Sequence, residues 1–378
     1  MALPPDVCIR GAGIVGRTLA LLLARERLRV ALVVPAPAAE TTAGPAPLDV
    51  RAYALNAASR ELLESLRAWP DAPHATPVLE MQVHGDAGGE LGFQATRQDV
   101  EALAWIVDVP ALERRLADAT RFQPLIEEVA APVMAALTVV CEGKASSTRD
   151  MLGVSYELTP YPQQAIAARL SSTLPHGATA RQWFGSAGEV LALLPTGGID
   201  GHSLALVWSV DQFRAPALMA LPPAEFCTAL HEATGGALGE LTLESDRAAW
   251  PLQRAIADRW TGRLPDGKAW ALAGDAAHVV HPLAGQGLNL GLADASALHT
   301  VLKEREYWRG VGDARLLRRY ERERRADVLS MSLATDGLQQ LFSQSAPPLQ
   351  ALRNWGLRGF DRSTLLKQWV ARHAMGLR

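Results

Sequence analysis

The chain is poor in cysteine, in long apolar runs and in net charge, and each shortage removes a class of protein. Its three cysteines, Cys8, Cys141 and Cys227, are odd in number and form no CxxC pair. A disulfide scaffold and a zinc site are therefore unsupported, no metal is expected, and a reducing compartment fits. No stretch approaches the ~20 uncharged apolar residues of a membrane-spanning helix. The first residues lack a basic region followed by an apolar stretch and a cleavage site, so no secretory signal is expected and the reading is cytoplasmic. A net charge of −3 gives no global attraction to nucleic acid. Internal repeats and long low-complexity tracts are missing too. What remains, 48% hydrophobic and 20% charged residues over 378 positions, is a folded chain able to bury a sizeable core, in two lobes or in one domain with an insertion. Charge is unevenly placed. From Lys303 to Arg378 there are 15 basic and 8 acidic residues, an excess open to an anionic membrane surface or an acidic partner, or simply to solvated faces of terminal helices.

The segment "VCIRGAGIVGRTLALLLARERLRVALVVPAP" starts as a dinucleotide-binding βαβ unit starts. An apolar run predicts a buried strand over Val7–Ile9, Val15–Arg25 a helix, and Val30–Val34 a second strand. Between the first two, Gly11 permits a tight turn, Gly13 lets a pyrophosphate approach the backbone, and Gly16 lets the helix pack closely. The amino end of the helix offers free N–H groups and a favourable dipole to an anion. One part is missing: the acid that would hold the adenosine ribose at the end of the second strand is Val34.

A second signal lies more than 250 residues on, in "ALAGDAAHVVHPLAGQGLNLGLADASAL". A strand ends at Gly274, and Asp275 is placed to accept from ribitol or ribose hydroxyls or to cap the turn. Pro282 fixes a loop, and Gly285, Gln286 and Gly287 bring bare N–H groups to the start of another helix, where negative charge on a ligand ring would be stabilised. Two Gly-rich helix starts suit a long ligand with a phosphate end and an electron-rich end, the shape of FAD. Between them, Asn56 or Ser59 can cap a helix with Leu62, Leu63 and Leu66 on its apolar face. "VPALERRLADAT" reads as a helix, "LTVVCEGKASSTRDMLG" as strand, turn and short helix, and the segments from Gln163 to Val210 as an antiparallel sheet. From Leu288 onward the pattern is mostly helical, broken at Gly310–Gly312 and at "SQSAPPLQ". The fold expected is α/β: a parallel-sheet domain assembled from both ends of the chain, an inserted, mainly antiparallel sheet, and C-terminal helices.

"GDAAHVVHPLAGQGLNLGLADA" resembles, nearly residue for residue, the FAD and ring-binding motif of the class A flavoprotein aromatic hydroxylases, and within them the ubiquinone-biosynthesis hydroxylases. "DVRAYALNAASRELLESL", "HGATARQWFGSAGEVLALLP", "HSLALVWSV" and "LRRYERERRADVLSMSLATDGLQQLF" extend the similarity over nearly the whole chain. The resemblance implies a Rossmann-like (GR2-type) FAD-binding domain from residues 1–75, 100–155 and 262–310, a substrate domain from 76–99 and 156–261, and a C-terminal helical region over 311–378. It implies FAD as cofactor, NAD(P)H as electron donor, and hydroxylation of a prenylated phenol or quinone precursor with O2. Carried over by position, Gly11, Gly13 and Gly16 would face the pyrophosphate and Arg51 the phosphate-ribityl side. Glu142 and Gly143 would stand at the family's Asp-Gly motif, Gly274 and Asp275 at the ribityl or pyrophosphate oxygens, and Pro282, Gly285, Gln286, Gly287, Leu288 and Asn289 at the isoalloxazine. His278 and His281 would order the loop, and no catalytic residue is assigned. Other quinone-biosynthesis proteins, a peripheral contact at the inner face of the membrane and a homo-oligomer are partners the family leaves open.

Three departures fall on cofactor contacts. Val34 replaces the ribose acid, with Glu40 a poorly placed substitute. Val109 stands where the family usually has a polar residue, and Glu142 where it has Asp, although Gly143, Ser146 and Arg149 keep that motif. Two hydrogen bonds lost from a neutral ribose cost about 1–3 kcal/mol, or one to two decades in affinity. Two further readings therefore stand beside the hydroxylase: a weakly flavinylated or non-catalytic scaffold subunit, and an FAD hydroxylase of another small aromatic.

Overall fold

The computed structural model describes residues 4–34, 49–85, 89–185, 188–280 and 287–343, the last twelve of these as backbone only. In chain order, β1 (Val7–Arg10), α1 (Ile14–Arg25) and β2 (Val30–Val33) form the opening βαβ unit. Then come β3 (Ala52–Leu55), α2 (Ala57–Ser65), β4 (Ala75–Val78), β5 (Glu80–His84), β6 (Glu90–Gln94) and β7 (Ala104–Asp108). Next are α3 (Val109–Arg121), β8 (Ile126–Val129), β9 (Leu137–Val140) and α4 (Ser147–Met151). β10 (Tyr156–Ser172), β11 (Thr179–Phe184), β12 (Val190–Thr196) and β13 (Ser203–Asp211) lead to α5 (Ala215–Ala220) and α6 (Pro223–Thr234). The chain returns through β14 (Leu241–Leu243), β15 (Ala248–Ala257), β16 (Thr261–Arg263), β17 (Ala269–Leu272) and β18 (His278–Val279) to α7 (Gly287–Lys303) and α8 (Ala314–Ser343).

These strands make three sheets. The first has the order β16-β17-β9-β1-β2-β8 and is parallel apart from the edge strand β16. Its inner strands β1, β2, β9 and β17 are mainly apolar and buried, and α1, α3 and α7 cover one face. Ile9, Leu32 and Val139 meet Leu19, Leu23, Leu112, Leu116, Leu292 and Leu298 in one core, all buried. The second sheet, of nine strands, is antiparallel except where β11 runs parallel to β5. The third is the antiparallel set β3-β7-β4.

α2 is capped by Asn56, whose side chain accepts from the Ser59 N–H, and Leu63 and Leu66 are buried while Leu62 packs beside them. α6 stops at Gly235, which adopts the left-handed conformation of a helix-ending glycine. Leu191, Leu193, Leu204, Leu206, Trp208 and Val210 of "LALLP" and "LALVWSV" are buried in a second core with residues of α5 and α6. Among the described residues no helix is long and apolar enough to cross a membrane.

Candidate functional site

At the end of β1 the chain turns at Gly11, with φ of +108°, and enters α1 through Gly13. The three glycines do different work. A Cβ on Gly11 would stand 2.4 Å from the Cys141 carbonyl oxygen, and one on Gly16 only 1.9 Å from the Gly11 carbonyl oxygen. Both positions are closed by backbone. A Cβ on Gly13 would meet nothing within 4 Å, and no side chain caps the helix start or places an acid in its first turn. The amino end of α1 is thus an approach for an anion, with uncapped N–H donors.

The second Gly-rich segment folds against the first. Gly274, with φ of +63°, ends the strand region of β17, and a Cβ there would lie 3.3 Å from Val15 Cγ2; one on Gly291 of α7 would lie 2.8 Å from the same methyl. Val15 of α1 therefore joins the two helix starts. Gly287 opens α7 into space, since a Cβ there meets nothing within 4 Å, and so does Gly143 in the turn after β9. Leu288 packs on the first core. Asn289 ties α7 down: its Oδ1 accepts from the Asn56 N–H at 3.0 Å and the Ser59 hydroxyl at 2.8 Å, and its Nδ2 donates to the Ala54 carbonyl at 2.8 Å. Pro282, Gly285, Gln286, His281 and Glu40 lie outside the described residues.

Asp275 is exposed at the surface, yet many protein atoms surround its carboxyl. The low-dielectric surroundings push its pKa above the ordinary value, against the pull of His278 and Lys144. Its carbonyl accepts from the Tyr156 hydroxyl at 2.7 Å, and the Arg149 guanidinium lies 3.7 Å over the Tyr156 ring. Ser146 caps α4 by accepting from the Arg149 N–H at 3.1 Å.

Beneath this turn is a charged network that sequence reasoning missed. Asp294, fully buried on α7, accepts from the Gly274 N–H at 2.8 Å, from His278 Nε2 at 2.7 Å and from Arg324 Nε of α8 at 2.8 Å. His278 also stacks on Trp260, with ring centroids 5.0 Å apart. The available signal was an acid on an apolar helix face, beside Leu290, Ala295 and Leu298.

The departures have structural reasons. Val34 packs on the first core and Val109 is buried in it at the start of α3. The Glu142 carboxylate is spent inside the chain, pairing with Arg10 Nε at 3.0 Å and accepting from Ser146, from the Thr148 hydroxyl at 2.6 Å and from the Thr148 N–H. Burial opposes its ionisation, but these donors hold its pKa below the usual carboxylate range. Arg51 lies half-exposed against Asp49, with Glu113 at 3.7 Å; the Asp49 carboxylate raises its pKa further.

The residues fit FAD. One helix start is left open at Gly13 for a diphosphate, a second is opened by Gly287 for an electron-rich ring, and the Asp275 carboxyl follows directly on Gly274, which lies against Val15 of α1. Comparison with known proteins agrees. The family model described as "FAD binding domain" matches residues 117–332. The ubiquinone hydroxylase UbiL of Rhodospirillum rubrum is 31% identical over 98% of this chain and 89% of its own. The 3-demethoxyubiquinol 3-hydroxylase of Escherichia coli is 29% identical over 99% of each chain. The fold of p-nitrophenol 4-monooxygenase PnpA from Pseudomonas putida DLL-E4 superposes with a TM-score of 0.75 at 18% identity, covering 99% of both chains. This chain belongs to the class A FAD-dependent aromatic hydroxylases, in the branch of the ubiquinone-biosynthesis hydroxylases.

Proposed function

We propose that this chain inserts one oxygen atom into the aromatic ring of a prenylated phenol or quinone precursor of ubiquinone. The balance is aromatic C–H + NAD(P)H + H⁺ + O2 → aromatic C–OH + NAD(P)⁺ + H2O. The bound flavin supplies the electron and oxygen chemistry. The chain's own part is to bind, orient and exclude water. Backbone N–H groups of Gly13 and the first turn of α1 take the pyrophosphate, with Gly11 and Gly16 shaping the turn. Asp275 accepts from ribityl hydroxyls, and Arg51 and the backbone of Glu142-Gly143 flank the phosphate-ribityl side. Gly274 sets the Asp275 turn; Pro282, Gly285, Gln286, Gly287, Leu288 and Asn289 would serve the isoalloxazine side, where the dipole of α7 favours negative charge. Residues 76–99 and 156–261 form the substrate-facing unit.

The observation that carries this reading is the meeting of the two Gly-rich helix starts at Val15. The purified protein is expected to be yellow, absorbing near ~450 nm and releasing FAD on denaturation. A deletion strain should accumulate an under-hydroxylated prenyl intermediate. A colourless chain that takes up no FAD at ~100 µM, well above an ordinary cofactor dissociation constant, would leave the scaffold reading, which Val34 and Val109 favour.

The reading extends to a peripheral place on an anionic membrane. Lys303, Arg315, Arg318, Arg319 and Arg322 are exposed, and Tyr307 and Trp308 stand 94% and 64% exposed among them, aromatic rings of the kind that rest at a headgroup boundary. Flotation with anionic liposomes is expected to carry the protein up, less so after Trp308→Ala. Absence from the lipid fraction at low salt would remove this localisation.

A further inference from the structure

The adenosine end of the cradle lacks its acid at position 34, yet a carboxylate stands beside that spot on the neighbouring strand. β8 runs parallel to β2 with Glu128 in register with Leu32, and the Val34 N–H donates to the Val129 carbonyl at 3.0 Å. Leu32 and Val34 both pack on the core under α1 and α3. Glu128 points to the same face, because it meets Arg17 of α1 and Thr120 of α3. One strand across and two residues back, its Cα lies about 8 Å from that of Val34.

Two hydrogen bonds fix Glu128 to the phosphate turn itself. Arg17 Nε donates to the Ala12 carbonyl at 2.9 Å, and Arg17 Nη1 donates to Glu128 Oε1 at 2.6 Å. Ala12 is the residue between Gly11 and Gly13. Arg17 is nearly buried, whereas Glu128 keeps 38% of its side chain open, and among the described residues its Oε2 takes no hydrogen bond. One oxygen is thus anchored and the other is available. The Arg17 charge also offsets a carboxylate that would otherwise oppose an anion at the amino end of α1.

We propose that Glu128, positioned by Arg17 and Thr120, takes over from the missing acid at position 34 and receives the 2′,3′-hydroxyls of the adenosine ribose. The role rests on FAD being the cofactor, as under the proposed function. A vicinal diol needs an acceptor that is fixed in place and not fully consumed by its own chain, and the two lone pairs of Glu128 Oε2 meet that need at this end of the cradle.

The test uses the full chain stripped of flavin and titrated separately with FAD and with FMN, which lacks the adenosine. Flavin fluorescence gives the dissociation constants. In Glu128→Ala, FAD affinity should fall about tenfold while FMN affinity changes less than about twofold, and Glu128→Gln should fall between. Equal losses for FAD and FMN, or no loss for either, would overturn the proposal and reduce Arg17–Glu128 to a tie between α1 and β8. If Glu128→Ala does not fold, Val34→Glu in the otherwise unaltered chain decides. A rise in FAD affinity below about threefold is expected where the diol is already served, and a rise of about tenfold or more would show that it is not. An unaltered chain that binds neither flavin would instead sink the hydroxylase reading, a separate result.

Discussion

Asp294→Ala is expected to destabilise the chain by about 3 kcal/mol, because it removes the buried counter-charge of the Arg324 guanidinium and leaves only the partly exposed Asp327 to pair with it. The same change removes the acceptor of the Gly274 N–H and one partner of His278, so the turn that presents Asp275 loses its floor. Against a total stability of about 5–15 kcal/mol this is a large fraction. Urea unfolding followed by circular dichroism checks it, and Asp294→Asn, which keeps the shape and an acceptor for Gly274, should lose clearly less. The pH dependence has a definite sign. Burial alone would raise the Asp294 pKa, but the neighbouring His278 and Arg324 charges hold it below the ordinary value. A carboxyl with a depressed folded pKa stabilises the fold above its unfolded value of about 3.9 and loses that contribution as pH falls through the folded value. The gap between wild type and Asp294→Ala should therefore narrow as pH falls below about 4, while the part due to the lost Gly274 acceptor persists. A gap unchanged down to pH 2 would show that the Asp294 charge contributes nothing.

What was readable beforehand depended on how local each feature is. The glycine turns, α1 and α3 are written within a dozen residues each, and the spacing of Gly11, Gly13 and Gly16 already states which atoms must come close. The parallel sheet could be inferred because β1, β2, β9 and β17 are short apolar runs with no alternation. Partners distant in the chain were hidden. Arg17 and Glu128 are 111 positions apart, Asp294 and Arg324 are 30 apart on different helices, and nothing in "ATARQWF" says that it pairs in parallel with "EMQVH". Glu142 shows the limit from the other side. Its likeness to the family's Asp is plain in the sequence, but Arg10, Ser146 and Thr148 claim its carboxylate, and only three-dimensional proximity reveals that.

Gly13 and Gly16 should separate cofactor binding from folding. At Gly16 a methyl would meet the Gly11 carbonyl at 1.9 Å, and that segment cannot retreat: Cys141 N–H donates to the adjoining Arg10 carbonyl at 2.7 Å, locking the turn to β9. α1 would have to lift, yet ten of its twelve residues are buried. Gly16→Ala is thus expected to cost about 3 kcal/mol or more, at the upper end of overpacking, and to abolish flavin retention with it. Gly13 differs in both respects. Its φ of −77° and ψ of −174° suit alanine, and the added Cβ meets no atom of the chain. Gly13→Ala should leave the stability of the flavin-free chain within about 0.5 kcal/mol. That Cβ would nevertheless stand where the pyrophosphate must approach the backbone, so FAD affinity should fall about 100-fold or more, close to 3 kcal/mol. Thermal unfolding of flavin-free protein and fluorescence titration with FAD measure the two effects independently. Gly13→Ala that binds FAD as tightly as wild type would place the phosphate away from the amino end of α1, whatever Gly16→Ala does to the fold.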